Sequence, residues 1–112
     1  MIHDLRTFTV ATGRMTEFLD LHKTIASPIL LRHLGVPVGY WTTITGQLNQ
    51  FVHLWRYEDL NDYETRYAAL GKDPEWRLYV GKTLNEAAIL VKQESVLLRQ
   101  IDLAALYPAS DR

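Results

Sequence analysis

The stretch Gln50-Phe51-Val52-His53-Leu54-Trp55-Arg56-Tyr57 alternates ring-bearing residues with aliphatic ones. Successive side chains of an extended strand point to opposite faces, so Phe51, His53, Trp55 and Tyr57 share one face while Val52 and Leu54 share the other. Residues 36–44 form a second run rich in β-branched and aromatic side chains, and Thr45-Gly46-Gln47-Leu48-Asn49 separates the two, which predicts a β-hairpin. In that second run Val38 and Tyr40 oppose Gly39 and Trp41. At the N-terminus, residues 2–10 alternate as well, with Leu5 opposing Arg6 and Phe8, and end at Thr12-Gly13. Both faces of the resulting sheet are apolar, and helices packed on one side cover only one of them.

Outside the hairpin the period changes from two to about 3.6. Met15, Phe18, Leu19, His22, Ile25, Ile29 and Leu30 recur at three- and four-residue steps, predicting a helix from residue 14 to about 32. Thr12 or Gly13 is placed to cap it, Glu17 to face the positive end of its dipole, and Gly35 to end it in a left-handed turn. Pro28 lacks an amide proton and predicts a kink or break. Asp59 has the character of an N-cap for a helix carrying Leu60, Tyr63, Tyr67 and Leu70, with a stop at Gly71. Asp73-Pro74-Glu75 then combines a cap, a proline at the first helical position and an acid in the first turn, which starts a short helix bearing Trp76, Tyr79 and Val80. Residues 88–99 are apolar and partly alternating, hence a fourth strand, and the tail from Asp102 is expected to be loose or to wrap a neighbour. The order is β α β β α (α) β. One domain over residues 1–112 is expected, an α+β ferredoxin-like fold in which a four-stranded antiparallel sheet carries its helices on one face.

Composition excludes several function classes. Hydrophobic residues make up 47% of 112 and charged residues 22%, as in a folded globular chain rather than a disordered one. Twelve Lys and Arg against thirteen Asp and Glu leave no basic excess for a polyanion, so nucleic acid is not an expected partner. There is no cysteine, and hence no disulfide framework, thiolate chemistry or Cys-based metal site. No apolar run reaches the roughly 18 to 20 residues that cross a bilayer and no basic-apolar leader opens the chain, so no membrane insertion and a cytoplasmic setting are expected. The glycines are scattered as turn residues and form no phosphate loop, no Gly-x-Ser-x-Gly elbow is present, and no motif calls for a cofactor.

A bare second face has an energetic consequence. A large aromatic side chain buries about 150 to 250 Å², so leaving one wet forgoes roughly 4 to 6 kcal/mol, an upper bound. Several such side chains exceed the whole stability of a typical domain. A homodimer packing sheet on sheet is the expected remedy.

The segment from Gly39-Tyr40-Trp41 through Leu48-Asn49-Gln50, then His53-Leu54-Trp55-Arg56-Tyr57-Glu58-Asp59-Leu60 and Asp73-Pro74-Glu75-Trp76, resembles the NIPSNAP family. The opening Asp4-Leu5-Arg6-Thr7-Phe8-Thr9 followed by Gly13, and Gln93-Glu94-Ser95 with Leu97-Leu98-Arg99, extend the resemblance over nearly the whole chain. Its most specific part is His-Leu-Trp-Arg-Tyr. The chain departs from the family's usual hairpin near Ile44-Thr45, where an acid is common, and at Gln47, where proline is common. The resemblance implies a dimeric α/β-barrel and supplies no activity.

The candidate site is Arg6, His53 and Trp55 with Tyr40 or Trp41, joined by Glu94 on the edge strand. Imidazole exchanges protons near neutral pH, guanidinium holds a carboxylate or enolate, and aromatic walls take a flat apolar molecule. A small apolar or carbonyl-bearing ligand in a cavity of roughly 300 Å³ between sheet and helices is expected on this reading. The competing readings pair Arg6 with Asp4 or Glu94 in a structural or protein-interaction module, or make the chain a cofactor-independent monooxygenase-like enzyme. His22 and His33 lie three helical turns apart, with no third metal ligand in view. No residue is assigned a catalytic role.

Overall fold

A computed structural model describes residues 1–108. Four strands, β1 (Ile2–Val10), β2 (Gly39–Thr42), β3 (Gln50–Tyr57) and β4 (Leu90–Arg99), form one antiparallel sheet in the order β2-β3-β1-β4. This is the ferredoxin-like α+β arrangement expected. Arg6 stands opposite His53 on β3 and Ser95 on β4, and Tyr40 stands opposite His53.

The helices cover the aromatic face. On β1 every second residue is buried, namely Ile2, Asp4, Arg6, Phe8 and Val10, and on β3 the buried set is Phe51, His53, Trp55 and Tyr57. Phe18, Ile29, Leu30 and Leu34 close over them from the first helical layer, and Leu70, Tyr79 and Leu84 from the second. The bare face therefore holds Leu5, Val52 and Leu54, half-buried, with Trp41, Val96 and Leu98 at 50%, 51% and 43% exposure. These line up across the sheet, since Leu5 is paired with both Leu54 and Val96, and Trp41 with Val52.

Pro28 breaks nothing. The first helical layer runs through α1 (Met15–Leu21), a π-helical turn (His22–Ala26) and α2 (Ser27–Leu34), with Pro28 in the first turn of α2. The wide π turn just before Pro28 accommodates the missing amide and the ring, so the layer passes the proline as a change of helix type rather than a break. Neither Thr12 nor Gly13 caps this layer. Arg14 holds the N-cap position without a side-chain bond. The stop is as expected: Gly35 has φ +81°, a conformation open to glycine, and its N–H reaches the Leu31 carbonyl at 3.2 Å.

Three boundaries differ from the expectations. β2 has four residues rather than nine, because residues 36–38 belong to the connection from the preceding helix and residues 43–44 to a wide hairpin loop with Gly46 and Asn49 at positive φ. Helix α3 (Leu60–Lys72) passes through Gly71, and Asp73 separates it from α4 (Pro74–Leu78). Asp73 does this by accepting from the Glu75 amide at 2.9 Å while its other oxygen takes His33 at 2.7 Å and Arg32 at 3.1 Å. The short helix continues as a π-helical segment (Tyr79–Glu86), so its apolar side reaches past the expected Trp76, Tyr79 and Val80 to the buried Leu84. The expected tail from Asp102 contains a 3-10 turn (Leu103–Ala105), and residues 109–112 lie outside the described part.

Candidate functional site

Buried beneath the helices, the middle of the sheet is polar. Asp4 is fully buried, and its Oδ2 accepts from Arg6 Nε at 2.7 Å while its Oδ1 accepts from the Ser95 hydroxyl at 2.6 Å. The Arg6 guanidinium then extends toward α3, where it lies 4.2 Å over the Tyr67 ring and a terminal nitrogen donates to the Tyr63 hydroxyl at 3.2 Å. Alternation on β1 produces the pair directly, because residues two apart share a face. Such an ion pair recovers part of its desolvation cost through further partners, here the Ser95 hydroxyl on Asp4 and the Tyr63 hydroxyl and Tyr67 ring on Arg6.

His53 faces Arg6 across the β1–β3 pairing and is 3% exposed. Its Nδ1 accepts from Trp55 Nε1 at 2.9 Å, and its Nε2 is buried without a hydrogen-bond partner. Burial pushes its pKa down to about 3, with the nearby His22 and the Arg6 charge adding to the effect. His22 comes from the π turn, packs against Phe18 and Phe51 and meets the Tyr40 hydroxyl at 3.0 Å. Burial alone brings its pKa down to about 4. The Tyr79 hydroxyl is likewise buried and unpartnered, and burial pushes its pKa up to about 12.

Between these groups lies a cavity of about 20 Å³, bounded by Arg6, Phe8, His53, Tyr67, Trp76 and Tyr79 among others. That is room for about one water molecule. The expected space of roughly 300 Å³ is absent in this form because the rings of Tyr67, Trp76 and Tyr79 occupy it. A second pocket of about 170 Å³ lies beyond, between the Tyr79–Glu86 segment and β4, and shares Phe8, Tyr67 and Trp76 with the first.

Arg6, His53 and Trp55 thus line the cavity together, and Tyr40 packs edge-on against His53 and Trp55 from outside it. Trp41 and Glu94 do neither. Trp41 pairs with Val52 and Glu94 with Thr7, which places both on the bare face, one residue out of phase with Tyr40 and Ser95. Of the two proposed partners for Arg6, Asp4 is the one used, while Glu94 binds Lys92 at 2.7 Å in water. Exposed pairs of this kind contribute little. Glu94→Gln is accordingly expected to shift the urea midpoint by an amount equivalent to less than about 0.5 kcal/mol; a loss above about 2 kcal/mol would mean that Glu94 is buried, beneath the helices or in a seam between subunits.

His22 lines the cavity and Ser95 bonds Asp4 behind it, and neither is among the residues that the sequence nominates. His22 on an apolar stripe was the available signal. Ser95 carried none, because its face depends on the β1–β4 register, which shifts between Thr9 and Val10. His22 and His33 do not converge: one meets Tyr40 and the other Asp73. Among the described residues no group of three or more His, Cys, Asp or Glu is placed to hold a metal, and no helix is long and apolar enough to cross a membrane.

Fold and site together define a ferredoxin-like α+β protein with a charged interior between helices and sheet. The sequence profile of the NIPSNAP family matches residues 3–103, and the chain belongs to that family. Protein NipSnap homolog 3A of Pongo abelii is 29% identical over 96 residues, 85% of this chain and 37% of that protein, so the chain spans little more than a third of that relative's length. A NIPSNAP-like domain protein from Burkholderia xenovorans is 36% identical, with a TM-score of 0.81 over 89% of this chain and 84% of that one. A putative antibiotic biosynthesis monooxygenase from Nitrosomonas europaea has a TM-score of 0.63 over 91% of this chain and 100% of that one at 12% identity, a likeness of fold alone.

Proposed function

We propose that this chain acts as a homodimer that binds a small apolar or carbonyl-bearing molecule between helices and sheet, against Arg6, His53 and Trp55, with Tyr40 holding His22 behind them. One observation carries the binding half of this reading. The cavity wall holds two residues, His53 and Tyr79, each with a buried polar atom that has no partner, beside a buried ion pair. A buried polar group costs about 1 to 3 kcal/mol unless a water or a ligand meets it, and an interior shaped by stability alone would use apolar residues there. Groups kept at such a cost are candidates for use. The molecule's body belongs in the 170 Å³ pocket, with its polar end past Trp76 and Tyr67.

The dimer half rests on the bare face, where Trp41, Leu5, Val52, Leu54, Val96 and Leu98 make a continuous apolar surface. Proteins of this fold family are often dimeric. The alternative function, a structural or interaction module without catalysis, is favoured by one fact, the near-filled interior.

Native mass spectrometry of the freshly purified protein separates the readings. A dimer mass carrying an additional small molecule, lost on mild heating, is expected. A bare dimer whose melting temperature responds to no member of a carbonyl and carboxylate panel would favour the module, and a well-folded single subunit at micromolar concentration would remove the dimer.

A further inference from the structure

The tryptophan bond at His53 has a chemical consequence. Indole N–H donates and never accepts. With Trp55 Nε1 at 2.9 Å from His53 Nδ1, that nitrogen must present its lone pair, so the neutral imidazole carries its proton on Nε2. Nε2 is the buried atom without a partner. To take up a proton His53 would have to accept it at Nδ1, breaking the bond to Trp55, in a site that already holds the Arg6 cation and has His22 nearby. The usual part played by a histidine in proton exchange is closed to it.

The rest of the wall adds further donors, although a tyrosine hydroxyl also accepts. Arg6 brings a guanidinium from β1 and Tyr79 a hydroxyl from the second helical layer, while the Tyr67 ring lies under Arg6 and the His22 ring nitrogen is already engaged by the Tyr40 hydroxyl. Among the described residues no carboxylate or side-chain amide lines the cavity. Asp4 lies behind Arg6 with both oxygens occupied.

We propose that His53 is a fixed neutral hydrogen-bond donor that, with Arg6, receives the oxygen of a carboxylate, enolate or carbonyl group borne on an apolar body. This rests on the binding reading above and names the chemistry of that ligand. The cavity's 20 Å³ suits one oxygen atom, and the adjoining pocket of about 170 Å³ suits the body once Trp76 or Tyr67 turns aside. Trp55 is a positioning residue, since it holds the tautomer without touching the ligand oxygen through its indole nitrogen. Any monooxygenase-like chemistry here would have to take its base from elsewhere than His53.

The test uses the intact dimer or whichever species the protein forms, with ¹⁵N-detected histidine NMR and sodium acetate, sodium benzoate and benzylamine as probes. Without any probe, His53 is expected as the Nε2–H tautomer throughout pH 5 to 8; an imidazolium or an Nδ1–H form in that range overturns the donor assignment. Benzoate and acetate are expected to move the His53 Nε2–H resonance saturably while benzylamine does not. Benzylamine binding there in place of the carboxylates would overturn the ligand class and leave the binding reading standing. No probe binding, in a protein that also purifies with nothing bound, would end both. His53→Gln retains a donor and an acceptor and cannot be protonated, so benzoate affinity within about threefold of wild type is expected, whereas His53→Phe should lose about tenfold or more. Equal losses in the two variants would overturn the proposal.

Discussion

Acidification from pH 7 to pH 5 is expected to destabilise the native protein by about 4 kcal/mol, from two buried histidines alone. His22 and His53 have folded-state pKa values lowered to about 4 and about 3, against an unfolded value near 6.5. A depressed histidine pKa means that the unfolded chain binds the proton more readily. The favourable term is therefore present above pH 6.5 and is lost as pH falls toward the folded values. At pH 5 each histidine still resists protonation in the fold while nearly all of the unfolded chain is protonated, a difference of about 2 kcal/mol per residue. The acids held below the usual carboxylate range, Asp73 by His33 and then Arg32, Asp62 by the Glu58 amide and then Arg66, and Glu17 by Arg14, lose their contributions at lower pH and stay outside this window. Urea unfolding at pH 7, 6 and 5, at one protomer concentration because a dimer's stability depends on it, measures the slope. A flat profile would mean that one or both rings are solvated, and His22→Gln should remove about half of the slope.

Asp4→Ala is expected to cost about 3 to 5 kcal/mol, enough to unfold a large share of molecules in a domain of ordinary stability. The size comes from what remains. Arg6 would keep its charge beneath the helices with its main partner gone, and the Ser95 hydroxyl would lose its acceptor. Replacing both members, Asp4→Leu with Arg6→Met, should cost far less than Asp4→Ala, since no unpaired charge is left. If the double variant is as unstable as the single one, packing volume rather than charge governs this part of the sheet. Loss of ligand response in a stable double variant would tie the ion pair to binding rather than to folding.

Much of this was legible in the chain. Alternation in residues 2–10 and 50–57 placed Arg6 and Phe8 on one face of their strand, and His53, Trp55 and Tyr57 on one face of theirs. Asp73-Pro74-Glu75 marked a helix start where one stands. The bare apolar face followed from the same alternation, although which set the helices would cover did not. Pro28 marked an irregularity that is present as a π turn rather than as a break, because widening one turn relieves the clash while keeping the chain helical. Gly71 misled: a glycine ends a helix when its backbone turns left-handed, and here Asp73, held by Arg32 and His33 from α2, places the boundary two residues later.

The amino-acid order by itself determined the period of most elements, the family, the absence of thiol chemistry and the shared face of Asp4 and Arg6, since residues two apart on a strand lie on one side, while the choice of Asp4 over Glu94 as the partner of Arg6 came from the structure. Tertiary structure decided the phase between strands: Ser95 rather than Glu94 at Asp4, Tyr40 rather than Trp41 beside His53, and an interior nearly filled by rings from the second helical layer. Parity within one strand is a local property of the backbone, whereas register between strands is a sum over bulges, loop lengths and the packing of both layers.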